Sequence, residues 1–473
     1  MAISSKRLLQ LAVALAAVLP LAAQAEGADT EARIRELENQ LQVLSQQLAA
    51  MREQLAAAPQ RAPADEVKPA KSEAKPAEAH KVEGSPVYAA FKDGVVLSDA
   101  SGDWKLAING RVQADYRQFS PDADAADTFS LRRARLGGTF TFYHDYVARV
   151  EGEYSGSSTM LTYAYIDFNK FSAAKLRVGQ FKPFYGLERA MSTNFTDFQE
   201  RSLADALLGS TYDRGVMLFG SPWTGVNYSV AYVNGNGTSD EGDARSDGKD
   251  ATVRVTANLA EMAGWKDAVL HLGGFYADGH EGSGSAAPKL QTEGRGVTFF
   301  SVPAFSSDVD RRRDGLETAL AYGPVKLQSE YIKTQFDGPG YEREMNGWYA
   351  SVMWNVTGES FAKSYKDGVF GRLRPHHDFS ADGKGWGALQ VGLRYSNFDA
   401  DDFVPGNSAG TGKLGTGLTN GADAWALGAN WILNPNVRFI ANWIHTTYDT
   451  PVLVNGRNLD DDDALTMRAQ FDF

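Results

Sequence analysis

The stretch WKLAINGRVQADYRQF (104–119) alternates with a period of two. Trp104, Leu106, Ile108, Val112, Ala114 and Tyr116 fall on one face of an extended chain, and Lys105, Asn109, Arg111, Gln113, Asp115 and Arg117 fall on the other. A strand in a soluble sheet typically spans about 5–6 residues, so a run of this length asks for a thicker medium on its apolar side. Lipid supplies one. Because lipid cannot satisfy an open sheet edge, a sheet built from such strands must close on itself. The apolar face then meets lipid and the charged face a water-filled lumen.

The same pattern repeats along the chain. Alternating runs cover 104–119, 128–143, 145–154, 160–169, 174–182, 212–220, 225–234, 250–260, 266–277, 314–323, 324–336, 343–356, 386–399, 421–433, 436–449 and 463–473, sixteen in all. The connections alternate too. Long segments rich in Gly, Asp and Ser lie at 183–211, 235–249, 278–313, 400–420 and 450–462, and tight turns lie near 144, 222, 323 and 435. Long loops on one rim and short turns on the other are the pattern of an outer-membrane barrel. The segment 357–385 breaks the rule, being long on the short-turn side. The final strand, LTMRAQFDF, puts Leu465, Met467, Ala469, Phe471 and Phe473 on one face, and its terminal aromatic is similar to the recognition signal of bacterial outer-membrane proteins. Trp104, Tyr116, Tyr154, Tyr163, Trp348, Trp354 and Trp443 are expected in the aromatic belts at the two membrane surfaces. The predicted fold class is therefore all-β, a sixteen-stranded antiparallel transmembrane barrel over 87–473 preceded by a short coiled-coil helix.

Three different segments precede the barrel. Residues 1–25 have a basic start (Lys6, Arg7), an apolar core and a small-x-small site at Ala23-Gln24-Ala25, and so read as a secretory signal peptide. Within 26–56, Ile34, Leu37, Leu41, Leu44, Leu48, Met51 and Leu55 recur at alternating spacings of three and four, a heptad seam suited to self-association. Residues 57–86 are rich in Pro, Ala, Lys and Glu and read as an extended linker that cannot bury a core, with cell-wall contact as one use. Composition agrees with export: the 473 residues include no cysteine. The net charge of −12 argues against a nucleic-acid partner. The mean hydropathy of −0.34 argues against a bundle of membrane helices. No His among the seven has a nucleophile or carboxylate at a diagnostic spacing, so neither an enzyme nor a metal or cofactor site is expected.

The polar faces are biased. Inward positions include Lys105, Arg111, Arg117, Arg133, Arg135, Arg149, Lys175, Arg177, Arg254, Lys326, Arg394, Arg438 and Arg468, against the acids Asp115, Glu151, Glu153 and Glu330. The lumen therefore reads as positive, and a narrow low-dielectric passage focuses such a field onto anions. The competing reading is that these arginines pair with acids across strands and merely brace the wall.

FSLRRARLGGTF (129–140), VGQFKPFYGLERAMSTNFTDFQERS (178–202) and TGES (357–360) resemble the phosphate-selective porin O and P family over about residues 88–473. The resemblance implies a homotrimer of sixteen-stranded barrels in the bacterial outer membrane, with the third long loop folded inward to form the constriction. It carries the anion-holding positions onto Arg189, Ser192, Thr193 and Arg201, and Arg132 and Arg133 match the family's paired arginines. Where the family's outer funnel bears a ladder of arginines, this chain has only Lys289 and Arg295; Arg311, Arg312 and Arg313 do not fit the ladder spacing. Thr162 stands where an acid is expected beside the central site, and Asn194 where a lysine can occur. The expectation is an anion-preferring diffusion channel for phosphate or polyphosphate. The alternatives are a general or organic-anion pore and an envelope tether acting through the coiled coil.

Overall fold

The computed structural model describes residues 86–473 apart from 92, 121–124, 236, 239–247, 286–288, 303 and 406–412. The signal peptide, the coiled coil and nearly all of the linker lie outside the described residues.

Sixteen antiparallel strands form the barrel: β1 (Trp104–Phe119), β2 (Thr128–Phe142), β3 (Tyr146–Glu153), β4 (Met160–Phe171), β5 (Ala174–Phe181), β6 (Asp213–Trp223), β7 (Val226–Val233), β8 (Asp250–Asn258), β9 (Ala268–Glu281), β10 (Val309–Tyr322), β11 (Val325–Gly338), β12 (Tyr341–Asn355), β13 (Ala388–Asp399), β14 (Gly421–Asn434), β15 (Val437–Val454) and β16 (Arg457–Asp472). Each pairs with its sequence neighbours, and β16 closes the barrel on β1 from Ala464↔Phe119 to Asp472↔Arg111. Phe473 completes the seam by exchanging backbone hydrogen bonds with Gly110 at 2.9 and 3.0 Å. Below it, a small hairpin (Val87–Phe91 and Val95–Asp99) continues along the same edge of β1, from Val95↔Ile108 to Ser98↔Lys105. The otherwise open end of the β1 edge is thereby paired, as an edge near lipid must be.

The outer wall follows the expected alternation. Val112, Leu131, Leu136, Val150, Ile166, Val178, Leu316, Leu327, Leu393, Leu427 and Met467 all point outward and are exposed, an apolar surface no water-soluble monomer carries. Tyr154, Trp348, Trp354 and Trp443 are exposed on it as expected. Tyr163 is not among them: it faces the lumen. It pairs with the inward Glu151 and shares the parity of Tyr165 and Asp167, opposite to the exposed Ile166; the β-bulge beyond it, between Glu151 and Gly152, turns Leu161 outward.

Two of the long segments differ from expectation. The expected loop 450–462 is a β-ribbon: β15 runs on to Val454, a two-residue turn at Asn455-Gly456 takes the positive φ values of 48° and 79° that such a hairpin requires, and β16 starts at Arg457. The expected loop 278–313 narrows to 282–308 because β9 and β10 pair as far as Glu281↔Val309. The exceptional segment on the short-turn side folds into the barrel mouth. It forms a 3-10 turn (Phe361–Ser364) and a two-rung hairpin (Tyr365–Lys366 with Val369–Phe370). Phe361 and Phe370 are buried against the inner wall near Val269, Ala319, Ala321 and Met353, and Gly368 O accepts a hydrogen bond from Arg254 at 3.0 Å.

The inside of the barrel is not uniformly polar. The segment 182–212 and the described parts of 282–308 fold inward, and Leu203, Leu207, Leu208, Phe299 and Phe300 meet Phe275, Ile332, Phe336, Met345 and Phe398 from β9, β11, β12 and β13 in a buried apolar cluster. The sequence reading of a wet lumen all round is thus corrected: on the β8–β14 side, apolar inward residues are covered by the loops.

Candidate functional site

The segment 182–212 is anchored at many points. Its two short helices are α1 (Leu187–Ala190) and α2 (Leu203–Ala206). The Glu330 carboxylate accepts the backbone N–H of Leu187 at 2.7 Å and of Glu188 at 2.6 Å, satisfying first-turn donors that have no partner within the helix. Gly186 is required for this approach, since a Cβ there would lie 2.1 Å from Glu330 Oε2. Glu188 accepts from Ser202 Oγ at 2.7 Å and pairs with Arg394, which also holds Glu293 of the 282–308 segment at 2.5 Å. Asp197 pairs with Lys326 at 2.7 Å, and Arg468 donates to Gln199 O at 2.7 Å. The Gly-Leu-Glu of the sequence motif is thus a docking device.

The free edge of the segment carries Ser192 and Thr193 toward β1 and β2. Arg111 Nη1 donates to Thr193 Oγ1 at 2.7 Å, Gln113 Nε2 to Thr193 O at 3.1 Å, and Arg133 Nη1 to Gln113 Oε1 at 2.8 Å. Arg132 and Arg133 are adjacent in sequence, yet both turn inward. The register breaks between Gln113 and Ala114, pairing Gln113 with Arg133 and Ala114 with Leu131, so Arg132 is the bulged residue. Its guanidinium grips Glu200 at 2.8 and 3.2 Å. Arg201 lies 3.6 Å from Asp205.

These side chains enclose a cavity of about 290 Å³ lined by Arg111, Arg132, Arg133, Arg135, Lys182, Ser192, Thr193 and Arg201 together with Met160, Tyr163 and Tyr212. A second cavity of about 280 Å³ shares Arg132, Arg133, Thr193 and Arg201 and continues to Glu200 and Arg295. Among the described residues, Arg111, Arg133 and Lys182 have no carboxylate partner. Lys182 Nζ donates instead to the carbonyls of Arg189, Ala190 and Met191 at 2.8, 3.0 and 2.9 Å. Burial, with the charges of Arg201, Arg189 and Arg111, pushes the Lys182 ammonium well below the ordinary lysine range. Burial alone would raise the Glu200 carboxyl, but Arg132, Arg468 and Arg133 outweigh it and hold it well below the usual carboxylate range.

The structure therefore brings together Arg111, Arg132, Arg133, Arg135, Ser192, Thr193 and Arg201, with Arg295 beside the second cavity. It does not bring Arg189 there. That guanidinium is turned away and buried, bonded to Asp205 at 2.8 Å through both Nε and Nη2 and to Gly209 O at 2.9 Å. Lys289 is exposed on a ribbon (Lys289–Gln291 with Thr298–Ser301) and lines neither cavity. Arg117 pairs with Asp115 at 2.7 Å, Arg177 with Asp167 at 2.7 Å and Arg254 with Glu317 at 2.9 Å, all bracing the wall. Arg135, although at the cavity, is held by Glu153 at 2.6 Å and Glu151 at 3.3 Å. More acid faces inward than the strands alone suggest, because the folded-in loops bring Glu188, Asp197, Glu200, Asp205 and Glu293. The positive excess is local to the cavity. Thr162 donates to Glu151 Oε1 at 3.0 Å, so the neighbouring strand supplies a carboxylate near the position where an acid was expected. Sequence reasoning did not assign Lys182, Tyr163 or Tyr212 to the site: Lys182 had a signal in its place in the GQFK run, and Tyr163 was expected in an aromatic belt.

The family model for "Phosphate-selective porin O and P" matches residues 106–473. Porin O of Pseudomonas aeruginosa is 27% identical over 430 residues, covering 83% of this chain and 93% of that protein. Among solved structures, the outer-membrane protein OmpT of Vibrio cholerae aligns over 78% of this chain and 99% of its own at 12% identity and a TM-score of 0.49. The outer-membrane channel DcaP of Acinetobacter baumannii aligns over 80% and 99% at 12% identity and a TM-score of 0.49. The match over the whole barrel places the protein in the bacterial outer membrane as a porin, and the chain belongs to the phosphate-selective porin O and P family.

Proposed function

We propose that this porin is an anion-preferring diffusion channel whose narrowest point is the cavity between the inward segment and β1–β2, with phosphate or polyphosphate among its solutes. The observation that carries the reading is the set Arg111, Arg133 and Lys182, three cations at one cavity without a carboxylate partner among the described residues, beside the Ser192 and Thr193 side chains. Cations already paired offer an anion little; Arg111 and Arg133 offer donors and charge, and Lys182, whose three N–H groups already go to carbonyls, adds charge alone. Guanidinium forks match oxyanion oxygens, and hydroxyls replace water stripped from the ion. Several moderate contacts, rather than one tight one, let the ion leave as readily as it enters. Arg295 beside the second cavity would hand anions inward. Of the two basic residues expected in the funnel, Arg295 lines a cavity and Lys289 does not, which favours a broad anion preference over strict phosphate selectivity. On the family's pattern the barrel works as a homotrimer.

The test is phosphate block of chloride current in planar bilayers. Phosphate is expected to lower chloride conductance in a saturable way, and Arg133→Ala to weaken that block by roughly tenfold or more, as for loss of a hydrogen bond to a charged group. Equal block in the variant and the unmodified channel would move the site elsewhere.

A further inference from the structure

The cavity has a wall that oxyanion chemistry does not use. Tyr163 of β4 and Tyr212, at the end of the inward segment, stand edge to face with ring centroids 5.1 Å apart and planes at 86°. Each is backed by a guanidinium: Arg149 lies 4.3 Å from the centroid of Tyr163, and Arg135 lies 5.5 Å from that of Tyr212 while donating to its hydroxyl at 2.6 Å. Both rings are only partly buried, and both line the cavity. Rings that only brace this barrel are treated differently: Phe299 and Phe300 on the filled side are fully buried. Tyr163 and Tyr212 keep open surface beside unpaired cations.

The volume points the same way. About 290 Å³ lies at the lower end of pockets that take small organic molecules, roughly 300–1,000 Å³. Phosphate, with five heavy atoms, leaves much of it unfilled.

Resting on the anion reading above, we propose that the constriction accepts aromatic carboxylates. The carboxylate takes Arg111 and Arg133, and the ring lies against the Tyr163–Tyr212 pair. The ring quadrupoles favour offset or edge-on contact with a further ring, and the Arg135 guanidinium, which also lines the cavity, adds a planar surface for stacking. A flat anion gains on both walls; a compact one gains on the cationic wall alone.

The experiment compares block of chloride conductance by benzoate, acetate and phosphate in the purified full-length channel. Benzoate is expected to halve the conductance at about one tenth of the acetate concentration. Tyr163→Ser should bring the two carboxylates to parity, while Tyr163→Phe, which keeps the ring, should preserve the difference. Equal block by benzoate and acetate in the unmodified channel, with phosphate still blocking, overturns this inference and leaves the anion reading standing. No block by any of the three, with cations carrying the current, overturns both. Should Tyr163→Ser fail to fold, the benzoate-to-acetate ratio of the unmodified channel decides alone.

Discussion

The two sides of the barrel interior are built from strands with the same outward alternation, yet they do different work. On the β1–β5 side the inward residues include Arg111, Gln113, Arg133, Arg135, Glu151, Glu153, Tyr163 and Arg177, long and mostly polar side chains that bond to one another or line the cavity. On the β8–β14 side many are small or apolar (Phe275, Ala319, Ala321, Ile332, Met353, Ala424, Ala426), and they are covered by folded-in segments from both rims. The outer face of a transmembrane strand answers to lipid on every side of the barrel. The inner face answers to whatever occupies the lumen, and here that is protein on one side and the two cavities on the other. One side positions the segment 182–212; the other receives its free edge.

The comparison is broken most severely at Arg394, on the filled side. Replacing it with Met leaves Glu188 and Glu293 buried without their partner, and removal of one member of such a pair costs about 3–5 kcal/mol. Arg394→Met should therefore lower the denaturation midpoint of the purified barrel markedly and make its conductance noisy as the inward segment loosens; an unchanged midpoint would mean that the two loops are held otherwise. On the open side the double variant Arg111→Ser/Arg133→Ser should do the opposite. It should keep the barrel close to its original stability but lose most of the preference for chloride over potassium, read from the zero-current potential in a salt gradient. Retained selectivity would shift the weight to Lys182 and Arg201.

A smaller effect separates Lys182 from the arginines. Its pKa is lowered by burial and by Arg201, Arg189 and Arg111, so its charge is complete in acid and is lost as pH rises, before the ordinary lysine value of about 10.4 is reached. Anion preference should weaken by a few-fold over that window below the ordinary lysine value. Folding stability should rise across the same window, because the unfolded chain binds the extra proton there. Lys182→Met should abolish the selectivity step; a profile flat up to the ordinary lysine range contradicts the assignment. The smallest effect is expected at Arg177, whose guanidinium is held by Asp167 through two bonds of 2.7 and 2.8 Å. Arg177→Gln should change the zero-current potential little, and a large change there would mean that braced wall arginines also set the field.

The strands were legible because lipid enforces one rule everywhere: the outward parity is apolar from Val112 in β1 to Met467 in β16. The interior obeys no such rule, and the misreadings gather there. Tyr163 shares the parity of Tyr165 and Asp167, opposite to the exposed Ile166, so the alternation itself turns it inward and its place near a strand end misled. Arg189 has the right residue type at the matching motif position, but Asp205, sixteen residues on, closes round it once α1 and α2 form. The long segment on the short-turn rim had no account in the sequence. The structure gives it one, with Phe361 and Phe370 as plugs against a wall whose small inward residues leave room for them. By contrast, Arg132 and Arg133 could be read as a pair because the motif is contiguous, although only the bulge explains how both reach the lumen.

The central claim is that the wall potential at the cavity favours negative solutes. The direct measurement is the zero-current membrane potential of single channels in planar bilayers under a potassium chloride gradient. The account predicts the sign set by chloride, with current falling as phosphate is added. A potential of the opposite sign, set by potassium in the unmodified channel, would contradict it.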